Sequence, residues 1–440
     1  MKKSLNIKKK KIVYVAMAAD ILHEGHINIL KNAKKYGRVI VGLLTDHAIV
    51  SYKRLPHLSF KQRKIVLKNI KFVDEVISQH ELDYRPNLNK IKPDYVIHGD
   101  DWKKGPQKNV RLDVIQTLKK WGGKLIEPNY TKNISSTIIK SKLFKTGASP
   151  EIRRQKLKRF LEVKKIVKII ESHSPLTGIL IEKLSVDTNK KYINEFDGIW
   201  SSSLTDSTLR GKPDNQSVDY STRLQSLKEI MEVTTKPIIF DGDNGGLIEH
   251  LPYLIRPLDQ MGVSAIILED KIGLKKNSLF EKQDNAKQDS IKNFCKKIQV
   301  AKRSQISDDF MIIARVESFI LGKGLSDAIK RTKEYVKSGA DAIMIHSKIS
   351  SPKEIFMYSK KIKKEFPNLV LVAVPSTYSS VSEKQLIKNG FSIVIYANQL
   401  LRASIPAMKS VAVNILRKQR SYGVENKIMS IKEILNLIES

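Results

Sequence analysis

The chain has 440 residues, 41% of them hydrophobic, which allows two or three domains with cores of their own at ~100–200 residues each, and no run approaches the ~18 apolar residues of a membrane-spanning helix. Its 79 basic and 45 acidic residues give a formal charge of +34, but the lysines are scattered over every segment, which reads as a lysine-rich composition that draws small anions rather than as a nucleic-acid surface. The single cysteine, Cys295, excludes an intrachain disulfide and suits a reducing, cytoplasmic setting.

The opening MKKSLNIKKKKIVYVAMAAD begins like a signal peptide, yet Asp20 interrupts a short apolar run and no small-residue cleavage site follows, so it reads as a basic tail entering a first strand. From Lys11 to about Leu143, IVYVAMA (12–18), RVIVGLL (38–44), VDEVIS (73–78), DYVIHGD (94–100) and KLIEPN (124–129) read as strands. INILKNAKKYG (27–37), FKQRKIVLKNI (60–70) and LDVIQTLKKWGG (112–123) read as helices between them. That alternation predicts a parallel, Rossmann-like sheet with helices on both faces. KTGASPEIRRQ (145–155), broken by Gly147, Ser149 and Pro150, marks a boundary, and a basic helix over about 151–172 is expected as connector. From Pro175 eight candidate strands follow: 177–185, 197–203, 237–243, 264–270, 311–318, 342–347, 369–377 and 392–398. Eight strands with helical patterns between most of them, over close to the ~250 residues typical of the fold, predict a (β/α)8 barrel rather than an open sheet. Polar residues gather at the strand ends (SSS, DGD, ED, RVES, HS), where such barrels keep their chemistry. The expected division is 11–143, a connector over 144–173, and a barrel with C-terminal helices over 174–440.

Asp20-Ile-Leu-His23-Glu-Gly25-His26 falls at a strand-to-helix turn. Gly25 permits close backbone approach, the helix start offers N–H groups to an anion, and two histidines can donate to charge developing in phosphoryl-type transfer. H-x-G-H alone also reads as a turn with two surface histidines. Three further segments follow in order: Ser59-Phe-Lys-Gln-Arg63, His98-Gly-Asp-Asp101-Trp102 and Ile134-Ser-Ser136-Thr137. With H-x-G-H they resemble the cytidylyltransferase family of the glycerol-3-phosphate and ethanolamine-phosphate type, over about 11–143. The resemblance implies that His23 and His26 stabilise the transition state, that Lys53 and Arg63 neutralise triphosphate charge, and that Asp20, Asp101 and Trp102 help form the nucleotide pocket. Ser136 and Thr137 would meet phosphate. The family's G-T-F-D reads Met17-Ala-Ala-Asp20 here, and the arginine that precedes its I-S-T-T segment is Tyr130.

In the second half, Asp241 and Asp243 stand at i, i+2 on a strand end and Glu269-Asp270 ends the next strand; hard oxygens so placed suit Mg²⁺. One acidic strand end alone is as well a loop or a helix cap. The stretch Glu269-Asp-Lys271-Ile-Gly-Leu-Lys275-Lys-Asn277-Ser278 reads as a lid over a phosphate, or as a solvated lysine-rich loop. Arg315 sits on an apolar strand and needs anionic partners; His346 ends AIMIHS and could be a core histidine. Taken together, GIWSSSLTDST, FDGDNGG, LEDKIGLKKNS, ARVES and MIHSK resemble the phosphoenolpyruvate mutase branch of the isocitrate lyase superfamily, over about 175–410. The resemblance implies Mg²⁺ on Asp241, largely through water, with Asp243 and Glu269 supporting. It implies a substrate carboxylate on amides near Ser203 and Leu204, a phosphoryl group held by Arg315 and His346, and closure by Lys275, Asn277 and Ser278. Lys271 would assist substrate binding and Asp214 would lie near the reacting centre. A homodimer or homotetramer through the barrel is implied as well.

The expectation is a bifunctional enzyme: the barrel isomerises phosphoenolpyruvate to 3-phosphonopyruvate, and the N-terminal domain transfers CMP from CTP to a phosphonate or phosphate. Moving a phosphoryl group within one bound molecule needs positioning, charge neutralisation and exclusion of water. Superfamily lyases carry a cysteine in a K-K-C-G-H loop, whereas Cys295 lies in FCKKIQ, outside the lid. A phosphonopyruvate hydrolase barrel and a non-catalytic, nucleotide-binding N-terminal regulator are the competing readings.

Overall fold

The computed structural model describes residues 10–52, 54–103, 107–129, 148–188, 192–279, 283 and 286–438. The chain divides into two compact units. One holds Met1–Val167, Lys183–Asp197 and Thr235–Pro237; the other holds Lys168–Glu182, Gly198–Thr234 and Ile238–Ser440.

The first unit is built on five parallel strands: β1 (Ile12–Met17), β2 (Arg38–Leu44), β3 (Glu75–Gln79), β4 (Tyr95–Ile97) and β5 (Lys124–Ile126). Their spatial order is β3-β2-β1-β4-β5. Strands β1 and β2 are β-branched runs buried along nearly their whole length, as central strands covered on both faces must be. Helices α1 (Glu24–Lys34), α2 (Asp46–Val50), α3 (Phe60–Lys68), α4 (Arg85–Ile91) and α5 (Lys108–Lys119) connect them. The strand order reverses between β1 and β4, and a crevice opens outside the carboxyl ends of strands at such a switch point. The segment that begins at Asp20 leaves β1 there, and His98–Trp102 leaves β4.

In the second unit eight parallel strands close in chain order into a barrel. They are β6 (Val167–Glu171), β7 (Gly198–Ser201), β8 (Ile238–Asp241), β9 (Ala265–Glu269), β10 (Met311–Val316), β11 (Ala342–Ile345), β12 (Val370–Ala373) and β13 (Ile393–Tyr396). The expected eight are present, but the first was misplaced. Residues 177–185 were expected as a strand; Pro175–Lys183 is a helix, with Thr177, Gly178, Ile181 and Glu182 turned inward at helical spacing. The first barrel strand lies inside the segment expected as one connector helix. That helix, α6 (Pro150–Val163), starts with the Ser149 hydroxyl accepting from the Ile152 amide. It stops at Lys164, which is already extended. Among the described residues no helix is long and apolar enough to cross a membrane.

Candidate active sites

The N-terminal site begins at the start of α1. His23 is the N-cap: its Nδ1 accepts the Gly25 amide at 3.2 Å, while Nδ1 of His26 accepts the His23 amide at 3.4 Å. The backbone N–H groups thus claim both Nδ1 atoms, so each neutral ring carries its proton on Nε2 as a donor. The rings lie 4.0 Å apart, and burial lowers the His23 pKa. Buried Asp20 accepts the Leu58 amide at 3.1 Å through Oδ1. Indole Nε1 of Trp102 donates to Glu127 at 2.7 Å, and its ring stacks on His98 at 3.9 Å. Glu127 is held in turn by Arg111 through two bonds of 2.8 Å. Trp102 is therefore a buried wall carrying His98, with Asp101 half-exposed beside it.

Arg63 is not presented to a triphosphate. It shares the buried face of α3 with Leu67, and its guanidinium donates to the carbonyls of Ala18, Leu44 and Leu58 and to the Asp46 carboxylate. Its charge ties the loop after β1 to the end of β2. Lys53, Ser136 and Thr137 lie outside the described residues.

The barrel site lies at the carboxyl ends of the strands. After β7, Ser203 Oγ donates to Asp241 at 2.8 Å and its amide faces the same carboxylate at 3.3 Å; Leu204 lines the cavity beside it. Asp243, beyond the end of β8, adopts φ +48°. Lys275 reaches in from the lid and contacts Asp243, Ser203 Oγ and, at 2.9 Å, Asp214. Asn277 Nδ2 donates to the other oxygen of Asp214 at 2.6 Å. Ser278 Oγ donates to Glu317 at 2.6 Å and accepts from Lys271 at 2.9 Å and Arg315 at 2.7 Å. Glu269 and Arg315 are register partners on β9 and β10, so their side chains meet. Arg315 also donates to Nδ1 of His346 at 3.0 Å. Because arginine can only donate, His346 keeps its proton on Nε2. The lid residues, whose closure the family resemblance implied, converge with Arg315 and His346 on one cavity of about 60 Å³, room for a handful of waters. Outside the Asp214–Lys275–Asn277 contacts lies a second cavity of about 850 Å³ that shares those three residues as its wall.

The electrostatics follow from packing ions away from bulk solvent. Burial opposes ionisation of Asp241, but Lys275, Arg223 and Arg315 outweigh it and hold the carboxyl at about 2. Burial pushes Glu269 up to about 7 against the pull of Arg315 and Lys271. Burial works against the charge on Lys275, yet Asp243, Asp241 and Asp214 raise its pKa. Burial and Arg315 lower that of His346 and keep it neutral.

Two residues of this network were not anticipated. Arg223 is buried on the helix Tyr220–Glu232; it donates to Asp206 at 2.9 Å and to the Asp241 carbonyl at 2.6 Å, and lies 3.5 Å from Asp243. The available signal was an arginine on the same face as Leu227 and Ile230. Glu317 binds Arg315 at 2.5 Å, receives Ser278 and lies 3.5 Å from Lys271. Its signal was its position two residues after Arg315, on the same side of the strand end.

The donor set fits a hard cation held largely through water. Asp241, Asp243 and Glu269 supply carboxylate oxygens, and buried Oε2 of Glu269 accepts no hydrogen bond.

Comparison with known proteins agrees with this geometry. The family model for phosphoenolpyruvate phosphomutase matches residues 157–416, and that for cytidylyltransferase-like domains matches 18–142. Phosphoenolpyruvate phosphomutase of Tetrahymena pyriformis is 34% identical over 284 residues, 64% of this chain and 89% of that protein. Glycerol-3-phosphate cytidylyltransferase of Bacillus spizizenii is 36% identical over 97 residues, 22% of this chain and 74% of that protein. The solved structure of phosphonopyruvate hydrolase with oxalate and Mg²⁺ is similar with a TM-score of 0.57 and 31% identity, covering 65% of this chain and 94% of that one. The chain belongs to the phosphoenolpyruvate phosphomutase family and carries a cytidylyltransferase-like domain ahead of its barrel.

Proposed function

We propose that the barrel interconverts phosphoenolpyruvate and 3-phosphonopyruvate, and that the N-terminal domain transfers CMP from CTP to a phosphonate or phosphate acceptor. The observation that carries the first half is the seating of Lys275, Asn277 and Ser278 on Asp214, Asp243, Glu317 and Arg315 beside a small cavity. The reaction breaks the bond from phosphorus to the enol oxygen, forms one from phosphorus to carbon, and needs no net proton. Its demands are a fixed carboxylate, a neutralised phosphoryl group and no water. Arg315, Lys275 and neutral His346 supply cation and donor for the phosphoryl oxygens, while the amides near Ser203 and Leu204 orient the carboxylate. Mg²⁺, held by Asp241, Asp243 and Glu269, would neutralise the carboxylate and enolate oxygens. Only Cys295 has a thiol, and it lies on the helix Ile291–Ser304, not among the cavity residues, which leaves the cysteine-dependent chemistry of the superfamily lyases without its group.

Replacing Asn277 by Ala removes a lid contact to Asp214 without touching Asp241, Asp243 or Glu269. Phosphoenolpyruvate formation from phosphonopyruvate, read by coupling to a pyruvate kinase, should fall about 10²-fold. Unchanged turnover would refute the lid's role. A hydrolase barrel is the second reading, favoured by the likeness to the phosphonopyruvate hydrolase structure; it predicts inorganic phosphate in place of phosphoenolpyruvate.

For the N-terminal domain the two Nε2–H donors of His23 and His26 at a helix start support transfer chemistry. The buried Arg63 favours a nucleotide-binding regulator instead. Pyrophosphate release from CTP with 2-aminoethylphosphonate or 2-hydroxyethylphosphonate separates them: release lost on His26→Ala supports transfer, and CTP binding without release supports the regulator.

A further inference from the structure

Asn244 stands where three loops of the barrel meet. It follows Asp243, whose left-handed backbone turns the chain away from the end of β8. Its side-chain amide makes three hydrogen bonds, two accepted and one donated. Oδ1 accepts Gln216 Nε2 at 3.1 Å, from the loop that carries Asp214, and the Gly246 amide at 2.9 Å. Nδ2 donates to the Gly273 carbonyl at 3.1 Å, at the base of the lid. From behind, buried Lys297 donates to the Asn244 carbonyl at 2.5 Å. Gly273 has φ +81°, and none of the described atoms lies within 4 Å of where a Cβ would stand, so the chain enters the lid through a left-handed turn in open space. Further along the lid, Lys275 contacts Asp243 of the same loop. The loop after β8 therefore grips the lid twice, at the base through Asn244 and toward the tip through Asp243.

We propose that Asn244 is a positioning residue that fixes the lid base and so decides how the bound phosphoryl group divides between isomerisation and hydrolysis. This rests on the reading of the barrel given above. From phosphonopyruvate, isomerisation breaks the bond from phosphorus to carbon and makes one from phosphorus to the enol oxygen of the same molecule. Hydrolysis breaks the same bond, but a water oxygen takes the phosphorus. The electron pair left on carbon forms the pyruvate enolate, which takes up a proton, giving pyruvate and inorganic phosphate. The two routes differ in whether water reaches phosphorus, and the lid base is a route by which it could. The Asn244 amide offers an acceptor to Gln216 and Gly246 and a donor to Gly273 at once, and the shorter serine side chain sets its hydroxyl elsewhere. Asn244→Asp keeps the shape and the acceptors but sets a carboxylate oxygen against the Gly273 carbonyl.

The test compares the full-length protein with Asn244→Asp, and with Asn244→Ser in case the carboxylate impairs folding. Amide hydrogen exchange over 272–279, measured without substrate, should quicken about tenfold, the loss of roughly one hydrogen bond. Exchange in 311–316 and 342–345 should not change. With phosphonopyruvate and Mg²⁺, the ratio of inorganic phosphate to phosphoenolpyruvate should rise about tenfold by the same reasoning. Unchanged lid exchange overturns the proposal alone, as does faster lid exchange with an unchanged product ratio. A wild-type protein that gives only inorganic phosphate overturns the reading of the barrel, and with it the partition.

Discussion

Arg223 shows what one buried side chain contributes. Burial disfavours its charge, but Asp243, Asp206 and Asp241 outweigh that and raise its pKa. It also lies 4.3 Å from the Phe240 ring centre. Removing one partner of a buried ionic network costs about 3–5 kcal/mol, because the charges left behind have no water to replace it. Arg223→Met should therefore lower barrel stability by about that much in urea unfolding; a change below ~1 kcal/mol would mean that water fills the gap. His23 gives a pH effect of known sign. Its folded pKa lies below the unfolded 6.5 because the ring is partly buried, so the unfolded chain binds more protons and stability rises with pH through that window. The thermal stability of the N-terminal unit should fall as pH drops below about 6.5, as protonation of Nδ1 abolishes the Gly25 cap. His23→Asn, which can still cap, should flatten that dependence, and an equally steep profile would assign it to another group.

At the scale of elements, the barrel helix Pro175–Lys183 and strand β6 show where sequence patterns fail. TGILIEKLS is apolar and β-branched enough to read as a strand, and Val163, Ile166, Val167 and Ile170 keep helical spacing across a real helix end. Short apolar runs do not distinguish strand from helix by period alone; what decides here is tertiary packing. Gly178 lies on the buried face, and an added Cβ would stand 3.1 Å from Val233 Cγ2 and 3.5 Å from Ile230. Gly178→Val should destabilise the barrel by about 1–3 kcal/mol through overpacking. A neutral or stabilising effect would show that the helix can shift outward. Strands β7 to β13 were legible because each is an apolar run closed by polar residues. The lid contacts were legible only as residue types: spacing put Lys275, Asn277 and Ser278 on one loop, but their partners Asp214 and Glu317 come from loops that follow other strands. The partners of Arg63 were hidden for the same reason, since periodicity places it on the face of Leu67 without saying that carbonyls wait there.

For the whole molecule, two sites of related chemistry share one chain. On the proposed reading each holds phosphate oxygens with histidine donors, one at a helix start and one at a barrel mouth. On the proposed reading the barrel supplies a phosphonate skeleton, and reactions that remove the carboxylate and reduce or aminate the keto group must intervene before cytidylyl transfer. The central claim concerns the barrel, and ³¹P NMR of the full-length protein with phosphonopyruvate and Mg²⁺ tests it most directly. The account predicts that the carbon-bound phosphorus signal is replaced by that of phosphoenolpyruvate, with inorganic phosphate a minor product. Inorganic phosphate alone, or a carbon-bound signal that persists unchanged, would contradict it.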